Sequence, residues 1–147
     1  MKRLFPPTYF FICLVISALL HYSTPIVQLI NYPANFLGFL FFVIGGILNI
    51  WADQLFKKNK TTVKPDEKPL VFIQTGPFRI SRNPMYLGMA FLLIGAGFIL
   101  GSITSFIGTV VFVISMEIRF IPMEERSMLE QFGEEFEEYR KKVRRWI

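Results

Sequence analysis

Long apolar runs alternate with short polar segments along this chain, and that alternation predicts its elements. Residues 4–20 and 36–56 form the first two runs. Residues 85–100 and 103–121 form two more, separated only by Gly101 and Ser102. A helix needs about 20 apolar residues to cross the hydrocarbon of a bilayer. Each run therefore predicts a span, and the last two, both short, predict a helical hairpin. Gly38, Gly45 and Gly46 give the second run a small-residue strip suited to close helix packing. Pro84 opens the third run, where a first turn leaves its N–H groups unpaired. Pro122 is read as a bend. Beyond it Leu129, Phe132, Phe136, Tyr139, Val143 and Trp146 recur at three- and four-residue spacing, the mark of an amphipathic helix. Glu137 with Lys141, and Glu138 with Lys142, are favourably spaced pairs on it. Its end, Arg144-Arg145-Trp146-Ile147, suits a membrane surface. The expectation is an all-α polytopic membrane protein with about four transmembrane helices and a C-terminal amphipathic cytoplasmic helix. It is a single domain over residues 1–147, with a cytoplasmic loop at 57–84 and a tail helix at 123–147.

Composition sharpens this picture. The chain has 147 residues, 52% of them hydrophobic and 16% aromatic. A soluble domain of that size could not bury so much apolar surface. The net charge is +5, but the basic residues are segregated. Lys2 and Arg3 precede the first run. Lys57, Lys58, Lys60, Lys64, Lys68, Arg79 and Arg82 lie between the second and third, and the rest lie at or beyond the end of the fourth. The positive-inside rule then places both termini and the central loop in the cytoplasm, the membrane being the inner one if the source is prokaryotic. Basic residues gathered in loops, not on a folded soluble face, argue against nucleic acid as a partner. No small-residue cleavage site follows the first run, where His21, Tyr22, Ser23, Thr24 and Pro25 stand, so it reads as a retained span and not a signal peptide. Cys13 and His21 are the only residues of their kinds. So placed, they form neither a metal ligand set nor a thiol–imidazole pair.

The polar, reactive side chains fall in two clusters. The first, QTGPFRISRNPMYLG, runs from Gln74 to Gly88, and the second, EIRFIPMEER, from Glu117 to Arg126. An antiparallel hairpin returns to the face where it began, so the two clusters should be neighbours. The first also suits a capped helix start with snorkelling arginines. The second also suits acidic residues complementing a helix dipole. Consecutive Glu124 and Glu125 cannot face one direction on a helix, so one is expected to face a pocket and the other solvent. Gly95 and Gly97 suit helix packing or the close approach of a cofactor.

Over residues 60–147 the chain resembles the isoprenylcysteine carboxyl methyltransferases and the related phospholipid N-methyltransferases. The resemblance rests on TGPFRISRNPMYLG, on the GAG within the hairpin, and on EERSMLEQFGEEFEEYRKKVRRWI, in that order. It implies an integral membrane methyltransferase using S-adenosylmethionine, bound between the hairpin and the tail segment. The family's arginine–histidine–proline–x–tyrosine motif falls on Arg82, Asn83, Pro84, Met85 and Tyr86. Asn83 thus replaces a histidine and can hydrogen-bond but carries no proton. The aromatic after the glycine turn falls on Phe78, without a hydroxyl. Ile73 and Gln74 stand where further cofactor contacts are expected. The glycine pair falls on Gly95 and Gly97, and the glutamate pair on Glu124 and Glu125. Arg119 is the nearest match to a substrate-orienting arginine. The implied acceptor is a lipophilic or small carboxylate, thiol or amine. A carboxylate is already ionised at neutral pH, whereas no histidine is placed to deprotonate an amine. Two other readings stand beside this one: a nicotinamide-dependent membrane reductase of the sterol reductase type, whose larger core has more spans, and a non-catalytic membrane accessory protein. Oligomeric state is not legible.

Overall fold

The computed structural model describes residues 5–24, 26–61 and 70–147. Lys2, Arg3, Lys64 and Lys68, which contribute to the charge bias, lie outside the described residues. Among the described residues the regular structure is helical, with one isolated bridge between Gln28 and Ser102. Helix α1 spans Pro6–Ser23, α2 Leu37–Lys58, α3 Pro84–Leu100, α4 Ile107–Ser115 and α5 Ile121–Lys142. Three helical stretches are long and apolar enough to cross a membrane: Pro6–Ser23, Ala34–Lys58 and Ile103–Lys142. Pro84–Leu100 is a shorter apolar helix. Many large apolar side chains, including Leu40, Val43 and Ile47 on α2 and Val110, Ile114 and Ile118 near α4, point outward. So broad an apolar exterior fits an integral membrane protein.

Prolines open α1 and α3, where their missing N–H groups are not needed. Helix α3 lies chiefly along α2, and α1 packs on α4. The expected hairpin of α3 and α4 exists in connectivity, but most of α3's packing is with α2. That packing is close because Gly38 sits against the Gly95 carbonyl and Gly45 against the Gly88 carbonyl. Gly46 is the exception to the expected strip: it has open space beside it and takes no part. At the turn after α3, Gly101 has φ +82°. Its carbonyl accepts the N–H groups of Leu29 and Ile30 at 2.8 and 2.9 Å, tying the first interhelical loop to the hairpin turn. His21 Nδ1 lies 2.9 Å from Ser102 Oγ at the same end.

The segment beyond α4 departs from expectation in three ways. Pro122 does not end the helix. The π-helical turn Met116–Phe120 precedes it, and its wider winding accommodates the ring that would otherwise strike the carbonyl four residues back. The break comes instead at Gly133, with φ 50° and ψ −123°. Helix α5 then ends at Lys142, so the helix expected over 123–147 is shorter, and residues 143–147 turn back across the bundle end. The apolar positions Phe132, Phe136 and Tyr139 pack on Phe72 of the central loop. The direct ion pairs on α5 are Glu137–Arg140 and Glu138–Lys141, and the expected four-residue pairs, Glu137 with Lys141 and Glu138 with Lys142, also attract one another.

The main core gathers Cys13, Leu93, Phe112, Met116 and Ile121 from five elements: α1, α3, α4, the π-helical turn and α5. A second cluster joins Ala52 of α2 to Ile73 and Phe78 of the central loop. Gly76, at φ +62°, lets the 3₁₀ turn Gly76–Arg79 nestle on Trp51 and Leu55. These contacts fix the loop that carries the first polar cluster.

Candidate active site

A cavity of about 490 Å³ opens where α3 begins and α4 runs into α5. That volume is within the range of ligand sites, about 300–1,000 Å³. Its walls come from residues 71–73 and 78, from residues 82–86 and Met89, from Glu124, Glu125, Ser127, Met128, Phe136 and Tyr139 of α5, and from Phe5–Pro7 and Phe56. The two clusters therefore meet, as hairpin topology required.

Most of the lining is apolar, and the few polar groups are specifically held. Tyr86 is buried and its hydroxyl donates to Glu124. Glu125 lies on the neighbouring face of α5, and its side chain is only 11% exposed. It does not face solvent as expected. Consecutive helical residues diverge by about 100°, and α5 is covered on both of those sides. Arg145 grips Glu125 with two bonds, Nε to Oε1 at 3.0 Å and Nη2 to Oε2 at 2.7 Å. Its Nη1 reaches Glu117 at 2.5 Å, and the Trp146 indole N–H donates to the same carboxylate at 2.9 Å. These bonds hold the Arg145 guanidinium above its ordinary pKa, Glu125 acting first and Glu117 second.

Arg82 Nη1 is 3.1 Å from Glu125 Oε1. Yet Nη1 and Nε of Arg82 are buried without an aligned hydrogen-bond partner. Burial lowers the pKa of this guanidinium, with Glu125 opposing. The segment carrying Arg82 is laced to the tail. Its backbone N–H donates to the Arg144 carbonyl at 2.9 Å, while Ser81 Oγ and Asn83 Nδ2 both donate to the Arg145 carbonyl at 3.0 Å. Asn83 thus spends its amide on the tail backbone. Below it, buried Tyr139 donates its hydroxyl to the Phe78 carbonyl at 2.6 Å.

Of the residues expected from sequence, Ile73, Phe78, Arg82, Asn83, Pro84, Met85, Tyr86, Glu124 and Glu125 line the cavity. Four do not. Gln74 donates to Glu135 at 2.7 Å instead. Gly95 abuts the Gly38 carbonyl and Phe42, and Gly97 abuts the Phe106 ring, so the Cβ side of each faces a neighbouring segment of the bundle. Arg119 is exposed, bonded to the Tyr9 hydroxyl at 3.1 Å and lying over the Tyr9 and Phe120 rings. Sequence reasoning missed Arg145, Trp146 and Tyr139. One signal was available: Glu117, Glu124 and Glu125 converging near Arg82 require more positive charge than Arg82 supplies.

A family model for phospholipid methyltransferases matches residues 33–135, most of the chain, from the start of α2 past the glutamate pair. This chain belongs to the phospholipid methyltransferase family. Comparison with curated proteins found no match. The family is one of methyltransferases, and the matched region contains both the Arg82–Tyr86 segment and Glu124. In this phospholipid methyltransferase family member, Tyr139 and the 143–147 strap lie beyond the matched residues.

Proposed function

We propose that the chain is an integral membrane methyltransferase that uses S-adenosylmethionine, bound in the cavity that Tyr86 and Glu124 line. One observation carries this reading: a carboxylate and a buried guanidinium, two of whose nitrogens make no aligned hydrogen bond, line one mostly apolar cavity. Those residues fit a zwitterionic amino-acid end attached to a large organic body. Buried donors without partners are uncommon, and a ligand acceptor accounts for them. Glu124 offers its carboxylate to the ammonium group, with Tyr86 fixing the direction of the side chain. Arg82 offers Nε and Nη1 to the carboxylate. Ile73, Phe78 and Met85 supply apolar walls. The bound cofactor supplies an electrophilic sulfonium methyl. The task of the protein is then to align the acceptor and exclude water, which together supply much of the acceleration.

In the proposed topology, four spans cross the bilayer as one domain, both termini and the central loop are cytoplasmic, and α5 is an amphipathic helix on that side. The acceptor is a lipophilic or small carboxylate, thiol or amine. Phe5, Pro6, Pro7 and Phe56 form an apolar side of the cavity that suits a lipophilic acceptor entering sideways from the bilayer.

Calorimetric titration of detergent-purified protein with S-adenosylhomocysteine tests the reading, with NADPH in parallel. Saturable binding of the former alone, weakened about 10- to 100-fold in Glu124→Gln by loss of a charged partner, is the expected result. Binding of NADPH alone by folded protein would overturn it.

A further inference from the structure

The cation that neutralises Glu125 comes from beyond the family match. Glu125 has two carboxylate oxygens, and Arg145 bonds to both. Arg82, on the other side of Glu125, is left with a 3.1 Å ion pair and no aligned hydrogen bond from Nη1 or Nε. The Arg145 grip is itself secured, since Glu117 holds its Nη1 and Trp146 holds Glu117. The same strap accepts three hydrogen bonds from residues 81–83 through two backbone carbonyls. The position of the Arg82 segment is therefore tied to residues 144 and 145, and Arg145 takes up the carboxylate beside it.

We propose that Arg145 is a positioning residue. By occupying Glu125 it keeps the Arg82 donors free for the carboxylate of the cofactor's amino-acid end. This inference rests on the reading of the cavity given above. Remove Arg145, and Glu125 becomes a buried carboxylate with Arg82 as its adjacent cation. A buried charge short of partners is costly enough that the 3.1 Å Arg82–Glu125 ion pair closes into aligned hydrogen bonds, and those Arg82 donors are lost to the ligand. Only ligands carrying a carboxylate should notice.

The test is a titration of the full-length protein in detergent with S-adenosylhomocysteine and with its analogue lacking the α-carboxylate. In Arg145→Ala, S-adenosylhomocysteine binding should weaken about 10- to 100-fold, the range for a lost charge-assisted bond. Binding of the analogue should change by less than about twofold. Adding Glu125→Gln to Arg145→Ala frees Arg82 and should recover about tenfold of the lost affinity. Arg145→Gln, which keeps hydrogen-bonding capacity in the strap, carries the same test if the alanine variant does not fold. Equal weakening of both ligands, or no recovery in the double variant, would reduce Arg145 to a structural contact and overturn the inference. Failure of the unaltered protein to bind S-adenosylhomocysteine would overturn the cavity reading and this inference with it. Binding by the unaltered protein with no change in Arg145→Ala would overturn the inference alone.

Discussion

Gly45 and Gly46 are consecutive on α2, and an alanine at each should have opposite effects. A Cβ on Gly45 would lie 2.6 Å from the Gly88 carbonyl oxygen and 3.0 Å from Leu92 Cγ. Ordinary contact begins near 3.4 Å, so α2 and α3 must part by about 0.8 Å. A gap of about 0.5–1 Å forfeits a quarter to a half of each dispersion well along an interface. Overpacking of this kind costs about 1–3 kcal/mol. Against that, alanine is the better helix former by about 0.8–1 kcal/mol, a gain available at both positions. Gly45→Ala should therefore lose about 0–2 kcal/mol, and Gly46→Ala, with open space around it, should lose nothing, which sets the two variants about 1–3 kcal/mol apart. Cys13 is the only cysteine, and at 1% exposure it sits in the core cluster with α3 and α4. A thiol-reactive dye thus reads unfolding without any added label. At about 2–4 °C per kcal/mol for a chain of this size, Gly45→Ala should melt about 2–12 °C below Gly46→Ala and up to about 8 °C below the unaltered protein. Gly46→Ala should melt at or above it. Equal melting temperatures for the two variants would refute the α2–α3 packing.

Two further outcomes are expected. Tyr139→Phe leaves the buried Phe78 carbonyl without its donor and should cost about 1–3 kcal/mol, seen as earlier dye labelling of Cys13. An unchanged melting curve would mean that another group satisfies that carbonyl. Arg119→Ala should leave S-adenosylhomocysteine affinity within about twofold, because the side chain is exposed and engaged with Tyr9. A loss of about tenfold would place Arg119 at the cofactor end of the cavity.

The sequence alone determined the helical elements, because apolar runs long enough to cross hydrocarbon leave the backbone few other ways to satisfy its hydrogen bonds. It also determined that the segment around Tyr86 and the segment around Glu124 meet, because a hairpin must return to its starting face. What it could not determine depends on how each helix is rotated against its neighbours. Gly45 and Gly46 are equivalent in composition, and only the facing Gly88 carbonyl tells them apart. Gly95 and Gly97 suit helix packing and the approach of a cofactor alike in sequence, and only the fold sets Phe42 and Phe106 against them. Glu125 was expected in solvent because one pocket wall was foreseen, whereas α5 is covered on a second side by the returning strap. That strap continued a helical periodicity through Val143 and Trp146, and local spacing gave no reason to end the helix at Lys142. Tertiary contacts decided it: turning residues 143–147 back gives Glu117 and Glu125 a cation and gives Ser81, Arg82 and Asn83 two carbonyls. Buried polar groups must find partners, and only the folded chain brings these partners together.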